Sequence, residues 1–488
     1  MEEEGIVVRE ATEKGTFYLL LSNTIFFLTG YFIYFILARL LQPAEFGLYG
    51  VIIALISILN LVLVTGIQQA VSKFVSETPE NALKVKRKAL ILQFSMALIV
   101  AIVYVLLAQF VALLLNDLTL TIFLQFSAVI IVTHSLFSVF SGYFNGLKLF
   151  KIQATTNAFY YVLKLFLIVG IVWLGYGLFG AITGFIIAST LALIFSIVYA
   201  KKIKLKVSKK VKPPTYTKMV NFALPLIGFA LLLHLLQNID LFAVKALVGK
   251  DIANELTGYY LAATTISKLP FIFVLAFSSV LFPLISRSTF KSNLKKTQNY
   301  IKESMRYSLM ILLPLSVLFA STALPLIELL FSEAYSAGGE VLSVLAFSTL
   351  FLGLFVILTT IISASGKPKH SFALILVVLV VDLILNILFV PVIGIMGAAF
   401  ATLISMFLGM IIAGLMVLYY FKALISIVST MKILIASAII YILSLEFYAD
   451  GLFLIVKLIV LLAVYKGLLF VFREFKAKDF KIIKGIVK

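Results

Sequence analysis

Fourteen apolar runs long enough to cross a bilayer recur along the chain, and short polar breaks separate them. They fall at about 16–38, 46–70, 89–115, 119–145, 154–174, 177–200, 219–248, 256–285, 304–331, 340–364, 372–391, 394–420, 430–446 and 451–472. A membrane helix needs about 20 apolar residues, so the runs predict an all-α polytopic membrane protein with 14 transmembrane helices. Composition agrees: 62% of the 488 residues are hydrophobic and 12% are charged, where a soluble chain is about one quarter charged. Two pairs of runs are divided only by Gly175-Tyr176-Gly177 and by Pro391-Val392-Ile393-Gly394, turn-forming residues in place of a loop.

The basic residues test this parsing. With the N-terminus inside, 33 of the 40 lysines and arginines fall in cytoplasmic segments, three (Arg39, Lys245, Lys250) outside, and four (Lys164, Lys268, Lys457, Lys466) within spans. A misplaced span would swap sides for everything after it, so the asymmetry predicts a multi-pass cell-membrane protein with both termini cytoplasmic. It also reads the net charge of +19 as topology, and no nucleic acid is expected as a partner. The basic inner loops read as anchors on anionic headgroups, with electrostatic recruitment of an acidic ligand as the alternative. The first 15 residues carry Glu2, Glu3, Glu4, Glu10 and Glu13, the wrong sign for a signal peptide. Cysteine is absent, which excludes disulfides and thiolate metal sites.

An internal repeat of about 215 residues joins the halves. Ala38-Arg39-Leu40-Leu41 followed by Glu45-Phe46-Gly47-Leu48-Tyr49 matches Val244-Lys245-Ala246-Leu247 followed by Glu255-Leu256-Thr257-Gly258-Tyr259. Gly177-Leu178-Phe179-Gly180-Ala181 matches Gly394-Ile395-Met396-Gly397-Ala398. Each copy covers six spans, an even number, so both enter the membrane in the same sense. The expectation is two six-helix lobes, 1–218 and 219–432, related by a pseudo-two-fold axis along the membrane normal with a cavity between them. Residues 433–488 add two C-terminal helices and a basic tail.

The stretch from Ala38 to Tyr49 resembles the span one–two signature of the polysaccharide transporter family, within the multidrug/oligosaccharidyl-lipid/polysaccharide exporter superfamily that includes the O-antigen flippases. Asp382 to Asn386 with Pro391, Gly394, Gly397-Ala398-Ala399 and Ala401-Thr402 is similar to that family near spans eleven and twelve, and Phe222 to Leu226 with Asn238-Ile239-Asp240 to the start of its second lobe. The resemblance implies a flippase that moves a polyprenyl-(pyro)phosphate-linked oligosaccharide from the inner to the outer leaflet; the two-lobe repeat points to alternating access, and the intramembrane carboxylates raise coupling to H+ or Na+ as a hypothesis. Lipid II flippases also have 14 spans, and spans thirteen and fourteen would then form a groove for the lipid tail. Expected partners are the lipid-linked oligosaccharide, membrane lipids and polysaccharide assembly enzymes, and a monomer is expected.

Ionisable residues inside the membrane are functional candidates because each costs at least ~2.5 kcal/mol at the bilayer centre. Lys268 lies about 12 residues into span eight, near midplane, either as a cation for the substrate phosphate or in a structural ion pair. Lys164 in span five aligns within about a residue of Asp382 in span eleven, so opposite charges at equivalent positions offer a switch that protonation of Asp382 would throw. Asp240 reads as a coupling carboxylate or as a partner of Arg39 or Lys245, with His234 and His134 as proton carriers or core residues. Arg39 and its repeat equivalent Lys245 are substrate-binding candidates, with a snorkelling anchor the plainer reading of Arg39, as of Lys457 and Lys466. Glu328, Asn23, Asn60 and Asn386 line a path or tie helices.

Gly366-Lys367 is followed by Pro368 and preceded by Ile361 where an ATP-binding loop needs glycine, and His-Glu-x-x-His, Asp-x-Asp and Gly-x-Ser-x-Gly are all absent. No enzyme, cofactor or metal site is expected. Two alternatives stay open: a multidrug or small-molecule cation antiporter, whose pocket would need carboxylates, and a membrane polymerase of lipid-linked sugars, which would need a larger outer loop.

Overall fold

The structure, a computed structural model, describes residues 2–203 and 213–474. The basic stretch 204–212, the tail 475–488, and the side chains of residues 1–14, the N-terminal glutamates, Arg9 and Lys14 included, lie outside the described residues. Among the described residues there is no strand. The helices are α1 (Glu2–Leu40), α2 (Pro43–Glu77), α3 (Ala82–Leu114), α4 (Leu120–Gly146), α5 (Phe150–Ile171), α6 (Gly177–Lys202), α7 (Tyr216–Leu236), α8 (Ile239–Leu247), α9 (Ala253–Ser267), α10 (Phe271–Phe290), α11 (Leu294–Ser321), α12 (Ala323–Leu330), α13 (Gly338–Ala364), α14 (Pro368–Phe421), α15 (Ile427–Glu446) and α16 (Gly451–Val471).

Twelve helical segments among the described residues are long and apolar enough to cross a membrane. Two of them, Phe150–Lys202 and Pro368–Phe421, have 53 and 54 residues. At 1.5 Å per residue each would reach roughly 80 Å, against a hydrocarbon core of about 30 Å. Both are broken midway, at Gly175 and Gly177 (φ +92° and +49°) and at Gly394 (φ +59°). Gly177 and Gly394 share ψ near −138° and −137°, a conformation that a Cβ would forbid. Divided there, the twelve segments are compatible with fourteen crossings, and the matching breaks fall where the repeat places them.

The chain forms two compact units, Met1–Asn238 and Ile239–Lys488. In the first, α2 is central and packs on α3, α4, α6 and α7. Small residues let the backbones meet: a Cβ on Gly142 of α4 would lie 2.4 Å from the Gln68 carbonyl oxygen of α2. Gly142→Val is therefore expected to force the two helices apart and to destabilise the protein by roughly 1–3 kcal/mol, read as a lower melting temperature of the purified protein in detergent. Side-chain bonds confirm the up-and-down order. Ser72 donates to Asn145 at 2.7 Å and Asn145 to Gln153 at 2.9 Å, and Lys88 donates to the Pro214 carbonyl at 3.2 Å. The ends of α2 and α4 thus lie beside the starts of α5, and the start of α3 beside that of α7, as alternating crossings require.

In the second unit, α13 packs against α9, α10, α11, α12 and α14. The C-terminal pair α15 and α16 is fastened to α11 at both ends. Arg306 pairs with Glu303 at 2.9 Å and with the buried Glu474 at 3.6 Å, and Lys432 reaches Glu474 at 3.8 Å. At the far end Ser321 donates to Ser444 at 2.8 Å, and Lys457 Nζ donates to the Ser444 carbonyl at 2.7 Å. Lys457 thus caps the end of α15, while Lys466 stays exposed.

Four runs differ from their sequence reading, among them span nine, which breaks at Thr322 between α11 and α12. The first helix extends back to Glu2 rather than starting near residue 16. Span seven is interrupted at Gln237-Asn238, where the two units divide, and Asn238 Nδ2 bonds the His234 carbonyl at 2.7 Å. Span eight is interrupted at Lys268-Leu269-Pro270 because proline has no N–H to continue the ladder. Tight turns replace it there, Leu269 N to Ile266 O at 3.0 Å and Phe271 N to Lys268 O at 3.0 Å.

Candidate functional site

Five helices of the first unit enclose a cavity of about 320 Å³, within the range of small-ligand sites. Its lining follows helical periodicity. Phe26, Thr29, Gly30 and Ile33 come from α1; Ser57, Asn60, Leu61, Val64 and Gln68 from α2; His134, Phe137, Ser138 and Ser141 from α4; Asn157, Tyr160, Tyr161 and Lys164 from α5; and Phe185 from α6. Positions i, i+3, i+4 and i+7 share one face of a helix, so each helix turns one stripe inward.

Among the described residues, Lys164 is the one charged residue that lines the cavity, and no carboxylate lines it. Its Nζ lies 3.8 Å from the centroid of the Phe185 ring, and among the described residues no carboxylate pairs with it. The ring of His134 lies 5.3 Å from that of Tyr160, itself 5.2 Å from Phe137. Three buried polar atoms, Asn60 Oδ1, His134 Nδ1 and Asn157 Oδ1, have no hydrogen-bond partner among the described protein atoms. Each such atom costs about 1–3 kcal/mol unless something pairs with it. At one end, Gln68 and Gln153 both donate to Ser141 Oγ at 3.3 Å, closing the polar seam that continues to Asn145.

A second cluster lies in the second unit. Tyr260 of α9 donates to Asp240 Oδ2 of α8 at 2.7 Å. Asp382 Oδ1 of α14 accepts from Ser405 Oγ at 2.9 Å and from Asn386 Nδ2 at 3.3 Å, while its Oδ2 is buried without a hydrogen-bond partner. Helix α8, which carries Asp240, packs against α9 and against α14, which carries Asp382. The helix breaks make these charges tolerable: Asp240 stands in the first turn of α8 and Lys268 directly follows the last residue of α9. Each is the sign that its helix end favours.

The predicted residues therefore divide. Lys164 and His134 share the first cavity with Asn60; Asp240, Lys268, Asp382 and Asn386 share the second cluster. Lys245 is fully buried and donates to Asn254, whereas Arg39, its repeat equivalent, is exposed at the end of α1. His234 ends α7 in the first unit. Glu328 accepts from Ser336 at 3.0 Å, and Asn23 is exposed. Sequence reasoning missed Asn157, Tyr160, Tyr161, Gln68, Tyr260 and Ser405. The signal for the first four was present as polar and aromatic residues spaced three or four apart within otherwise apolar spans.

The family described as polysaccharide biosynthesis protein matches residues 36–338. An uncharacterized membrane protein of Methanocaldococcus jannaschii is 28% identical over 407 residues, 80% of this chain and 94% of its own. A probable low-salt glycan biosynthesis flippase of Haloferax volcanii is 24% identical over 160 residues, 33% of this chain and 34% of that one. Among solved structures, the inward closed conformation of the lipid II flippase MurJ gives a TM-score of 0.69 at 17% identity, covering 93% of this chain and 99% of that one. An inward-facing multidrug resistance MATE family transporter of the MOP superfamily gives 0.66 at 16% identity, covering 81% and 95%. At those identities the structural likenesses establish the fold.

Proposed function

The chain belongs to the polysaccharide biosynthesis protein family and is a multi-pass membrane protein, and on that premise we propose that it is a flippase of the MOP superfamily that moves a polyprenyl-(pyro)phosphate-linked oligosaccharide across the cell membrane. The observation that carries the reading is the cavity of the first unit. Its hydroxyls, amides and aromatic faces suit sugar rings, and its one charge, Lys164, suits the anionic group of a carrier lipid. A cation antiporter would need carboxylates there, and among the described residues none lines the cavity.

Under this reading the repeat-related lobes, 1–218 and 219–432, alternate in exposing the cargo, both termini are cytoplasmic, and the lipid tail stays in the bilayer. Asp240 and Asp382 form the coupling site for H+ or Na+, supported by the orphaned Asp382 Oδ2. Lys268 follows the last residue of α9, the helix whose Tyr260 bonds Asp240, and on that placement it belongs with the coupling site more than with the cargo.

The test is reconstitution in liposomes carrying a fluorescent polyprenyl-pyrophosphate oligosaccharide in one leaflet, with an impermeant oxidant outside. Exposure is expected to rise at least about tenfold above protein-free vesicles, a modest demand on a transporter whose turnover is set by conformational exchange. Equal exposure with and without protein would refute a flippase; extension of the glycan chain would indicate a polymerase instead.

A further inference from the structure

We propose that the end of α2 and the start of α7 form a binding site for an anionic phospholipid headgroup, with Lys73 and Lys218 as the two cations that take its phosphate. The basic segments between spans read alike in sequence, as general anchors; the structure singles this one out. Lys73 and Lys218 come from different helices of the first unit, yet both ammoniums approach one ring. Lys73 Nζ lies 5.6 Å and Lys218 Nζ 5.5 Å from the centroid of Phe74. Lys73 Nζ is also 4.4 Å from the centroid of Phe222, which meets Phe74 edge-on at 6.2 Å. Phe74 is buried and Phe222 partly so, so the two rings form a fixed platform that holds two flexible stems in place. The lead into α7 is fastened as well, by the bond from Lys88 to the Pro214 carbonyl.

The protein offsets these gathered charges only weakly. Lys73 has Glu77 at a long 3.9 Å, with both side chains nearly half exposed, where such a pair contributes little. Among the described residues no carboxylate pairs with Lys218. A group that accepts from both ammoniums turns their repulsion into two attractions, and phosphate, which presents acceptors only, has that chemistry. Its source follows from depth. Lys218 directly precedes the apolar run of span seven, and Lys73 follows that of span two by three residues. Both therefore stand within about 5 Å of the hydrocarbon edge, at the level of the phospholipid phosphates. Both are exposed, on a surface open to bulk lipid rather than in a cavity fitted to one cargo. An anionic lipid is favoured there, because the choline of a zwitterionic one brings a competing cation. A headgroup held by both lysines also bridges two helices that meet closely, since a Cβ on Gly66 of α2 would lie 2.5 Å from the Ala223 Cβ of α7. Binding should therefore stabilise the fold.

The test titrates the full-length protein in detergent with fluorescent phosphatidylglycerol or phosphatidylcholine and follows binding beside the melting temperature. The wild type is expected to bind phosphatidylglycerol at least about tenfold more tightly than phosphatidylcholine, and to melt several degrees higher with it. Lys73→Gln/Lys218→Gln is expected to weaken phosphatidylglycerol binding about 30-fold, the effect of two lysines at an anionic surface, and to lose the rise in melting temperature. Each single variant should show about a fivefold loss, and the single variants carry the test if the double variant melts lower without lipid. Lys73→Arg/Lys218→Arg should keep both readings. Lys291→Gln/Lys295→Gln, which removes two exposed lysines of the second unit, should leave both unchanged. Equal losses in the two double-glutamine variants would mean diffuse attraction and overturn the site, as would wild-type binding that does not distinguish the two lipids. Displacement of phosphatidylglycerol by a much smaller mole fraction of bare polyprenyl pyrophosphate would give the platform to the cargo and overturn it too. The flippase reading asks nothing of these two lysines, so it stands or falls separately.

Discussion

Lys164→Gln is expected to slow movement of a polyprenyl-pyrophosphate-linked oligosaccharide by about 100-fold without lowering the melting temperature. A charge-assisted hydrogen bond is worth about 1.5–3 kcal/mol, and each 1.4 kcal/mol is roughly tenfold in rate. Lys164 stands about two-thirds of the way along α5, partly buried, with its ammonium over the Phe185 ring. A cation–π contact returns about 0.5–2 kcal/mol, less than the ~2.5 kcal/mol or more that an intramembrane charge costs. The protein keeps a charge that its own contacts do not repay, which is what a binding cation looks like in the absence of its anion. Glutamine preserves length and polarity and removes the charge, so the fold should be as stable or more so. Lys164→Arg keeps the charge in a broader, planar group and is expected to retain intermediate activity. Initial rates of leaflet exposure for the three proteins, beside their melting curves, decide the matter. A wild-type rate in Lys164→Gln would remove Lys164 from the cargo site.

The value of that residue was legible in the sequence, but its surroundings were not. The apolar runs located the helices because bilayer thickness imposes their length, and Gly177 and Gly394 marked two breaks because only glycine tolerates that backbone. The interruptions of spans seven and eight were less visible. Pro270 announced one of them, yet membrane helices often absorb a proline, as α11 does at Pro314. Gln237-Asn238 carries no comparable steric signal. The cavity was hidden for a different reason. Asn60, Asn157 and Gln68 each read singly as a tie between helices, and only the meeting of five helices turns their stripes toward a common space. The alignment of Lys164 with Asp382 likewise placed two charges at equivalent positions without showing their settings: one beside a phenyl ring in a cavity, the other among Ser405 and Asn386. Repeat symmetry specifies backbone position, and side-chain chemistry is free to diverge between the copies.

That divergence makes Asp382 the second decisive residue. Asp382→Asn is expected to abolish the response of transport to an imposed ion gradient. The Asp382 side chain is fully buried, with Oδ1 hydrogen-bonded to Ser405 and Asn386 and Oδ2 without a protein partner, on a helix packed against the one that carries Asp240. An ionised carboxylate in a dry interior is costly unless it is paired, and a proton or sodium ion at Oδ2 would relieve that cost. The occupied and vacant forms then differ in charge, which is the property a gradient can act on. Moving one charge through 100 mV is worth about 2.3 kcal/mol, enough for a gradient of that size to bias cargo distribution by about 50-fold. In Asp382→Asn the bias should fall to near one, while the melting temperature holds or rises because a buried carboxylate has been removed. Imposing a pH gradient and a sodium gradient in separate vesicles identifies the ion, since only the coupled one will drive the wild type. Retention of the full bias by Asp382→Asn would place the coupling elsewhere, and Asp240→Asn in the same vesicles would show whether the neighbouring carboxylate carries it.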